Sequence, residues 1–461
     1  MIAGATAGSG NGGAPGSALH RTRPGWREAL LFAAACALVL GTWRAQLPAA
    51  PQPAADSLRY LGYVVNLLDH GVFGVGGSAS EAPAPGRANM PLYPAFVAAL
   101  YLGDTAARGD LRCLLEPAAG CSTAVLERTV TAQFVVVALM LGSVWLAGWR
   151  LLGRAGAWVA AGAALLSGQP APNAMLLLTE NLTLLLCAVL TLVLLADDRR
   201  AARAAFAIGC CLGGLTLVRP EFFYLGLAGA VVFAAAGLVR GKRALAFRRC
   251  AAYGLAFALV VGPWAARNAM TFGSPALTAT YGGQILAQRV SYNRMSAREL
   301  GVAFVYWLPD FGDSLARRLF QPAAYERLGF GPGTYYAEGM PYHAEVSRRV
   351  GGDDRVARAL IVDDVLGHPL KHALVTVALA WRAVFVGKLW GLLALAALTW
   401  ISWRRPAQRR ALWHAGAPGW FMLLFYAAVS VSIPRYAICL LPVFALALAA
   451  ACLPQARPSA S

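Results

Sequence analysis

Apolar stretches separated by short polar turns make up most of this 461-residue chain. Several of them reach the roughly 20 residues that an α-helix needs to cross the hydrocarbon core of a bilayer. The stretches cover residues 26–43, 129–152, 155–167, 179–196, 204–218, 222–239, 251–266, 384–403, 419–433 and 437–453. The pattern predicts an all-α polytopic membrane protein with about ten transmembrane helices.

Two long polar segments, 44–128 and 268–370, interrupt the apolar pattern. The second is rich in Gly, Pro, Tyr and Arg and has little sustained periodicity, which predicts a small external domain. The expected organisation is a cytoplasmic tail without stable structure over 1–25, helices 1–7 over 26–267 with the external loop 44–128, the external domain 268–370, an interfacial helix and helices 8–10 over 371–453, and a cytoplasmic tail over 454–461.

The external loop 44–128 begins its ordered pattern at the run DSLRY, residues 56–60. Apolar residues then recur at 61, 64, 65, 67 and 68 among polar ones, which predicts an amphipathic helix lying at the membrane surface. A Gly-rich turn at 74–77 and the run PLYP at 91–94 follow. The apolar stretch that ends at Leu102 is too short to span a bilayer, so it predicts a second interfacial element.

Composition and charge support the membrane assignment. The chain is 58% hydrophobic and 13% charged, whereas a soluble domain carries about 25% charged residues. Its net charge of +18 could suit nucleic acid, but the basic residues cluster beside apolar stretches, at 21–27, 150–154, 199–203, 240–249 and 404–410. These clusters share one side if both termini are cytoplasmic, as the positive-inside rule requires. We therefore expect the bilayer as a partner and no nucleic acid.

Two of the nine cysteines, Cys113 and Cys121, fall in the external loop. A disulfide between them and a pair of free thiols are both compatible with the sequence. No Cys/His spacing resembles a zinc site. The acidic pairs at 353–354 and 363–364 could bind a cation, but solvated turns explain them better, so we expect no cofactor and no resident metal.

Charged residues collect at the external ends of the predicted helices. They are Asp56, Glu180, Arg219, Glu221, Arg267 and Arg435. A charge next to hydrocarbon is costly and is usually paired or functional. Each could serve structure alone, since arginines reach headgroups and a carboxylate can pair with an arginine inside a bundle. Six such residues on one side nevertheless predict a shared polar cavity.

Transfer of a group from a lipid phosphate would suit such a cavity. A phosphate leaving group needs cations that hold its growing negative charge, and arginine does this through a planar, bidentate fork. The acceptor needs a base on the opposite side of the sugar carbon. One carboxylate and one or two arginines are the minimum for a single displacement, which passes through an oxocarbenium-like state and inverts the anomeric carbon.

Several short motifs appear in one order along the chain. They are D-x3-Y-x5-NL-x3-GVF from residue 56, PLYP at 91–94, TE at 179–180, L-x-RPE at 217–221, GPW-x2-RN at 262–268 and RY at 435–436. Together they resemble the family 39-type membrane glycosyltransferases of the GT-C class, whose relatives include protein O-mannosyltransferases and bacterial aminoarabinose transferases. The likeness extends over residues 29–450.

The resemblance implies a GT-C-like bundle, a polyprenyl-phosphate sugar donor and an acceptor on the external, periplasmic face of a bacterial inner membrane. It implies that Asp56 is the catalytic base and that Arg267, Arg435 and Arg219 bind the donor phosphate. We also expect residues that line the cavity or position the substrates, namely Arg59, Tyr60, Tyr93, Glu180, Glu221, Asn268 and Tyr436. Ser57 departs from the Asp-Glu pair of eukaryotic O-mannosyltransferases, and Arg87 stands further from PLYP than the corresponding arginine usually does.

The sequence leaves two matters open. The acceptor could be a glycan, a lipid or a protein, and the sugar is equally undetermined. A transporter or flippase for a lipid-linked glycan is the alternative function. Transporters usually carry charges at mid-span and broken helices in two corresponding halves, whereas the charges here lie at one end of the spans.

Overall fold

The computed structural model describes residues 23–47, 55–78, 81–116, 120–195, 201–239, 243–279 and 282–454. Residues 1–22 of the predicted tail 1–25 and residues 455–461 of the predicted tail 454–461 lie outside these ranges, as do residues 196–200 and 240–242 of two basic turns. Within them the chain is helical and contains no β-strand. This part of the prediction, an all-α multi-pass membrane protein, is confirmed.

The helices up to the second polar segment are α1 Trp26–Gln46, α2 Ala55–His70, α3 Leu92–Ala99, α4 Thr105–Cys113, α5 Glu127–Leu166, α6 Pro170–Ala174, α7 Glu180–Leu194, α8 Ala201–Val218, α9 Phe222–Val239 and α10 Arg243–Phe272. The remaining helices are α11 Gly282–Val290, α12 Ala297–Tyr306, α13 Gly312–Leu319, α14 Tyr335–Val350, α15 Asp353–Leu360, α16 Pro369–Val384, α17 Leu389–Arg404, α18 Pro406–Val429 and α19 Leu441–Cys452. A π-helical turn, Ile361–Leu366, follows α15, and a 3₁₀ segment, Pro434–Leu440, precedes α19.

Every predicted apolar stretch overlaps one of these helices. By length and composition, five helical segments in the described residues could cross a membrane, and α16 with α17, bent by 109°, would make a sixth. The helices α7, α8 and α9 are apolar but shorter. The prediction of about ten spans therefore corresponds to these helices only if α5 crosses twice and the short helices also cross.

Helix α5 is a hairpin of two antiparallel halves. Gly153 breaks it with φ 77° and ψ −166°, a conformation open to glycine because it has no Cβ. The rings of Trp145 and Trp158, on opposite sides of the break, have centroids 6.3 Å apart. In a continuous helix these residues would be about 20 Å apart. The halves therefore correspond to the predicted second and third spans, with the turn where the sequence places it.

The first external segment folds onto itself. Helix α2 packs against α3 and α4 and buries Leu61 and Val64 completely. An ion pair between Arg112 and Asp69 joins α4 to α2. The α2 helix is thus covered by protein on much of its surface, more than the prediction of a helix lying on the membrane surface implied.

The second external segment is also helical, despite its weak periodicity. A fully buried arginine, Arg289 of α11, attaches it to the bundle. The Arg289 side chain donates to the carbonyl of Ala427 at 2.6 Å, the carbonyl of His372 at 3.0 Å and the hydroxyl of Thr376 at 2.8 Å. Burial lowers the pKa of Arg289 to about 9, because only neutral groups contact it.

The α5 hairpin provides a test of the fold. A Cβ on Gly148 would lie 2.9 Å from the Cα of Ala157, whereas a Cβ on Gly162 would contact nothing within 4 Å. We expect Gly148→Ala to destabilise the protein by about 1–3 kcal/mol through overpacking. The matched variant Gly162→Ala should be neutral or slightly stabilising. Thermal unfolding in detergent measures both, and equal midpoints would contradict the close packing of the halves.

Candidate active site

A buried carboxylate, Glu180, joins two arginines from distant parts of the chain. Its side chain is 1% exposed, and its Oε1 accepts a hydrogen bond from Nε of Arg435. The same oxygen lies 3.5 Å from Nη2 of Arg219. Burial of a carboxylate is costly unless cations and hydrogen bonds compensate it, so the three residues form one interdependent unit.

Local structure explains why each of the three lies at a helix end. Glu180 begins α7, where a negative charge interacts favourably with the helix dipole. Arg219 is the first residue after α8, and Pro220 next to it prevents the helix from continuing. Arg435 follows Pro434 at the start of the 3₁₀ segment. The ends of α7, α8 and this segment therefore meet at the same level of the bundle.

Exposure increases outward through this unit. The side chain of Glu180 is 1% exposed, that of Arg219 is 12% exposed and that of Arg435 is 39% exposed. Arg435 contacts Glu180 through Nε, and no residue in the described part of the chain binds the terminal nitrogens of its guanidinium group. Because the Glu180 carboxylate binds Nε of Arg435, it fixes the direction in which the terminal N–H groups of Arg435 point.

Aromatic rings surround the two arginines. The guanidinium carbon of Arg219 lies 5.6 Å from the ring centroid of Tyr436, which itself stacks on Tyr426 at 4.8 Å. A guanidinium over a ring face gains cation–π attraction. On the other side, the Tyr60 and Tyr93 rings meet edge to face at 5.2 Å. The site is thus a charged centre with apolar, aromatic walls.

Helix α2 carries Asp56, the residue that the sequence predicts to be the catalytic base. Asp56 and Tyr60 are four residues apart and share one face of α2. Burial raises the pKa of Tyr60, and the charges that act on it include Arg219, Glu180, Asp56 and Arg435. Asp56 itself is exposed. It therefore occupies the outer, open side of the cluster, whereas Glu180 occupies the inner side.

Buried polar atoms without a protein partner are concentrated here. In the described part of the chain they include Tyr93 Oη, Glu180 Oε2, Glu221 Oε2, Tyr426 Oη and both amide atoms of Asn181. Buried polar atoms are nearly always hydrogen-bonded, so each exception needs an explanation. Their number around Glu180 and Arg219 means that this region has donors and acceptors left to bind a polar ligand.

Among the described residues, no three His, Cys, Asp or Glu side chains are grouped as a metal would require.

Arg267 and Asn268 have other partners. Arg267 Nη1 donates to the carbonyl of Gly86 at 2.8 Å and Nη2 donates to that of Phe73 at 3.2 Å. The Arg267 guanidinium also lies 4.8 Å from the Trp264 ring. The amide of Asn268, which is fully buried, donates to the carbonyl of Ala276 at 2.8 Å. Both side chains hold external loops together, at the end of α10.

The structure thus sorts the predicted site residues into groups. It places Tyr60, Tyr93, Arg219, Glu221, Arg435 and Tyr436 in one cluster with Glu180, and Asp56 lies one helical turn from Tyr60 on α2. It places Arg267 and Asn268 with the loops and Arg59 on a neighbouring face of α2. Cys113 and Cys121 form a disulfide at the end of α4, with Cα atoms 5.9 Å apart.

Sequence reasoning missed two residues of the cluster, Tyr426 and Asn181. Tyr426 lies within electrostatic reach of Glu221 and Arg219. A tyrosine inside an apolar stretch was the available signal, since its hydroxyl needs a partner when buried. Asn181 gave no signal in the sequence beyond its place next to Glu180 at the start of an apolar stretch, and only the structure shows that it is 1% exposed.

No protein-family model matches the chain, and no curated protein matches it. Among solved structures, the chain is similar to ArnT from Cupriavidus metallidurans bound to undecaprenyl phosphate, at 15% identity with a TM-score of 0.41, covering 92% of this chain and 59% of that one. The apo structure of that ArnT gives 16% identity and a TM-score of 0.37, covering 91% of this chain and 76% of that one.

A further similar structure is the Archaeoglobus fulgidus oligosaccharyltransferase in complex with Zn and sulfate, at 13% identity with a TM-score of 0.46, covering 91% of this chain and 48% of that one. These structural neighbours are GT-C glycosyltransferases, the class that the sequence motifs resemble. The chain spans 59% and 48% of the lengths of the first ArnT structure and of the oligosaccharyltransferase.

The buried ion pair gives a stability prediction. Glu180→Gln leaves Arg219 and Arg435 without their carboxylate, which should cost about 3–5 kcal/mol because breaking a buried pair strands a charge. The matched variant Asp313→Asn removes the partner of Arg317 in an exposed pair and should cost at most about 1 kcal/mol. Thermal unfolding in detergent compares them. A Glu180→Gln protein as stable as Asp313→Asn would show that the pair does not bear on folding.

Proposed function

We propose that the protein transfers a sugar from a polyprenyl-phosphate donor to an acceptor on the external face of the membrane, by a single displacement that inverts the anomeric carbon. The observation that carries the proposal is the arrangement of Arg435. A buried carboxylate holds its Nε edge, and no described residue binds its terminal N–H groups. Tyr60, which lies within electrostatic range of Arg435, shares one face of α2 with the exposed Asp56.

Binding of the donor phosphate is the first requirement. Arg435 offers terminal N–H groups to the phosphate oxygens, and Arg219 adds a second guanidinium deeper in the site. Negative charge on the phosphate grows as the bond to the sugar breaks, so cations fixed beforehand stabilise the transition state more than the bound donor. Glu180 contributes by holding both arginines in position before the donor arrives.

Activation of the acceptor is the second requirement. Asp56 is a carboxylate at the open side of the cluster, where a molecule from the external medium can reach it. In this scheme Asp56 accepts the proton of the acceptor hydroxyl while the hydroxyl oxygen attacks the anomeric carbon. The phosphate leaves with the bonding electron pair and stays with the arginines. Tyr60, one helical turn after Asp56, lies within electrostatic range of both Asp56 and Arg435.

The positions of the charges favour an enzyme over a transporter of lipid-linked glycans. Glu180, Arg219 and Arg435 lie at the ends of their elements, whereas transporter sites lie near the middle of broken helices. The positive-inside distribution supports an active site that faces the exterior, which is the periplasm if the protein belongs to a bacterial inner membrane.

The direct test is to incubate purified protein with a panel of polyprenyl-phosphate sugars and to detect the free carrier phosphate. Release with at least one donor in the presence of an envelope extract supports the proposal. Movement of intact donor across a proteoliposome membrane, with no release from any donor, would instead support the transporter.

Asp56→Asn tests the catalytic base. Loss of the proton acceptor should lower transfer by at least about 100-fold, because general base catalysis contributes factors of that size. Membrane abundance should be normal, since Asp56 is exposed. Asp110→Asn, which changes an exposed carboxylate in the same external segment, is the control. Equal transfer by Asp56→Asn and Asp110→Asn would remove Asp56 from the mechanism.

Arg435→Lys tests the phosphate site. Lysine keeps the charge but has no Nε edge to bind Glu180 and no fork, so we expect the KM for the donor to rise about 10- to 100-fold. Arg404→Lys, in the basic turn on the opposite predicted side, should leave that KM unchanged. Arg267→Ala belongs in the same series. A larger loss of donor affinity in Arg267→Ala than in Arg435→Lys would indicate that Arg267, and not Arg435, is the main ligand of the donor phosphate.

A further inference from the structure

A separate cavity lies on the side of α2 next to the Asp56–Tyr60 face. Its volume is about 530 Å³, within the range of sites that enclose small molecules. Arg59, Tyr63 and Asn66 of α2 form one wall. The Gly-rich turn at 74–77 forms a second wall, and the end of α4 with Glu116 forms a third.

Specific contacts hold these walls in place. The amide of Asn66 donates to the carbonyls of Gly74 and Gly76, both at 3.0 Å, which fixes the turn against α2. Gly74 cannot be replaced without strain, since a Cβ there would lie 2.3 Å from the carbonyl oxygen of Ala84. On the other wall, the disulfide between Cys113 and Cys121 closes the segment that contains Glu116. The cavity is therefore formed before any ligand binds.

The cavity and the proposed catalytic base share one helix. Asp56 and Arg59 are three residues apart on α2, which places their Cβ atoms about 5–6 Å from each other. A molecule bound to Arg59 from the cavity would therefore bring its nearest atoms close to the Asp56 carboxylate. Tyr60, one helical turn after Asp56 on the same face of α2, lies within electrostatic range of Arg435.

The polar groups of the cavity include both donors and acceptors. Within the described residues, the Arg59 guanidinium has no ion-pair or hydrogen-bond partner, and neither do the backbone N–H groups of Gly76 and Gly77. Glu116 supplies acceptor oxygens, and Val75 supplies an apolar surface. Sugar hydroxyls are donors and acceptors at once, and sugar rings also have apolar faces, so a saccharide fits this mixture.

A peptide or a lipid chain would need other features. Peptides are usually bound along a sheet edge or in an apolar groove, and the described part of the chain has no strand. A lipid chain needs a continuous apolar channel, whereas arginine, asparagine and glutamate interrupt this lining. We propose that the cavity binds the saccharide end of the acceptor and presents one of its hydroxyls to Asp56. This inference rests on the proposed glycosyl transfer.

The test follows labelled sugar from the active polyprenyl-phosphate donor into an envelope extract of cells that carry the protein, separated into saccharide, peptide and lipid fractions. We expect the label in the saccharide fraction. Val75→Trp fills the cavity and should lower that transfer at least tenfold. Val75 is 47% exposed, so the larger side chain is compatible with folding. Leu102→Trp, on an exposed residue outside the cavity, should transfer normally.

Arg59→Ala provides a second, milder change at an exposed position, and it should raise the KM for the saccharide fraction without altering the KM for the donor. Label found only in the peptide or lipid fraction would overturn the inference, and so would unchanged transfer by both Val75→Trp and Arg59→Ala. Carrier release with label in another fraction leaves the proposed function standing. No carrier release from any donor overturns the proposed function, and this inference with it.

Discussion

A buried carboxylate that neutralises two guanidinium groups organises this protein around one end of its helix bundle. Glu180, Arg219 and Arg435 lie 39 and 216 residues apart along the chain, so their contact requires that α7, α8 and the segment before α19 be packed correctly. Glu180 and Arg219 are buried, so neither of these charges is stable without its partners. The requirement couples the folding of the bundle to the assembly of the site.

The same three residues give the site an inner, buried side and an outer, exposed side. Glu180 occupies the inside, where it restricts both arginines, and Arg435 is the most exposed of the three. A phosphate can therefore approach the terminal N–H groups of Arg435 without displacing Glu180. Preorganised cations of this kind lower the cost of the charge that develops on a leaving group, because no rearrangement is needed during the reaction.

Helix α2 connects the charged centre with the external segment. One of its faces carries Asp56 and Tyr60 toward the arginines, and a neighbouring face carries Arg59 and Asn66 into the cavity. Because side chains three and four residues apart lie on adjacent parts of a helix surface, one short helix can line both the cluster and the cavity. The disulfide and the Asn66 contacts keep the loops on its outer side in place.

The sequence by itself determined the helical membrane fold, the two long polar segments, the turn between residues 152 and 155 and the collection of charged residues at the ends of the apolar stretches. Each follows from local composition or periodicity, which packing does not change. Only the tertiary structure decided which arginines contact Glu180. Several arginines have the same chemistry, and which of them reach the carboxylate depends on how distant helices pack. Arg267 shows this, since its place at a helix end resembled that of Arg435 while its hydrogen bonds go to loop carbonyls. Tyr426, Asn181 and the cavity beside α2 were also beyond the sequence, since burial and enclosure arise from residues far apart in the chain.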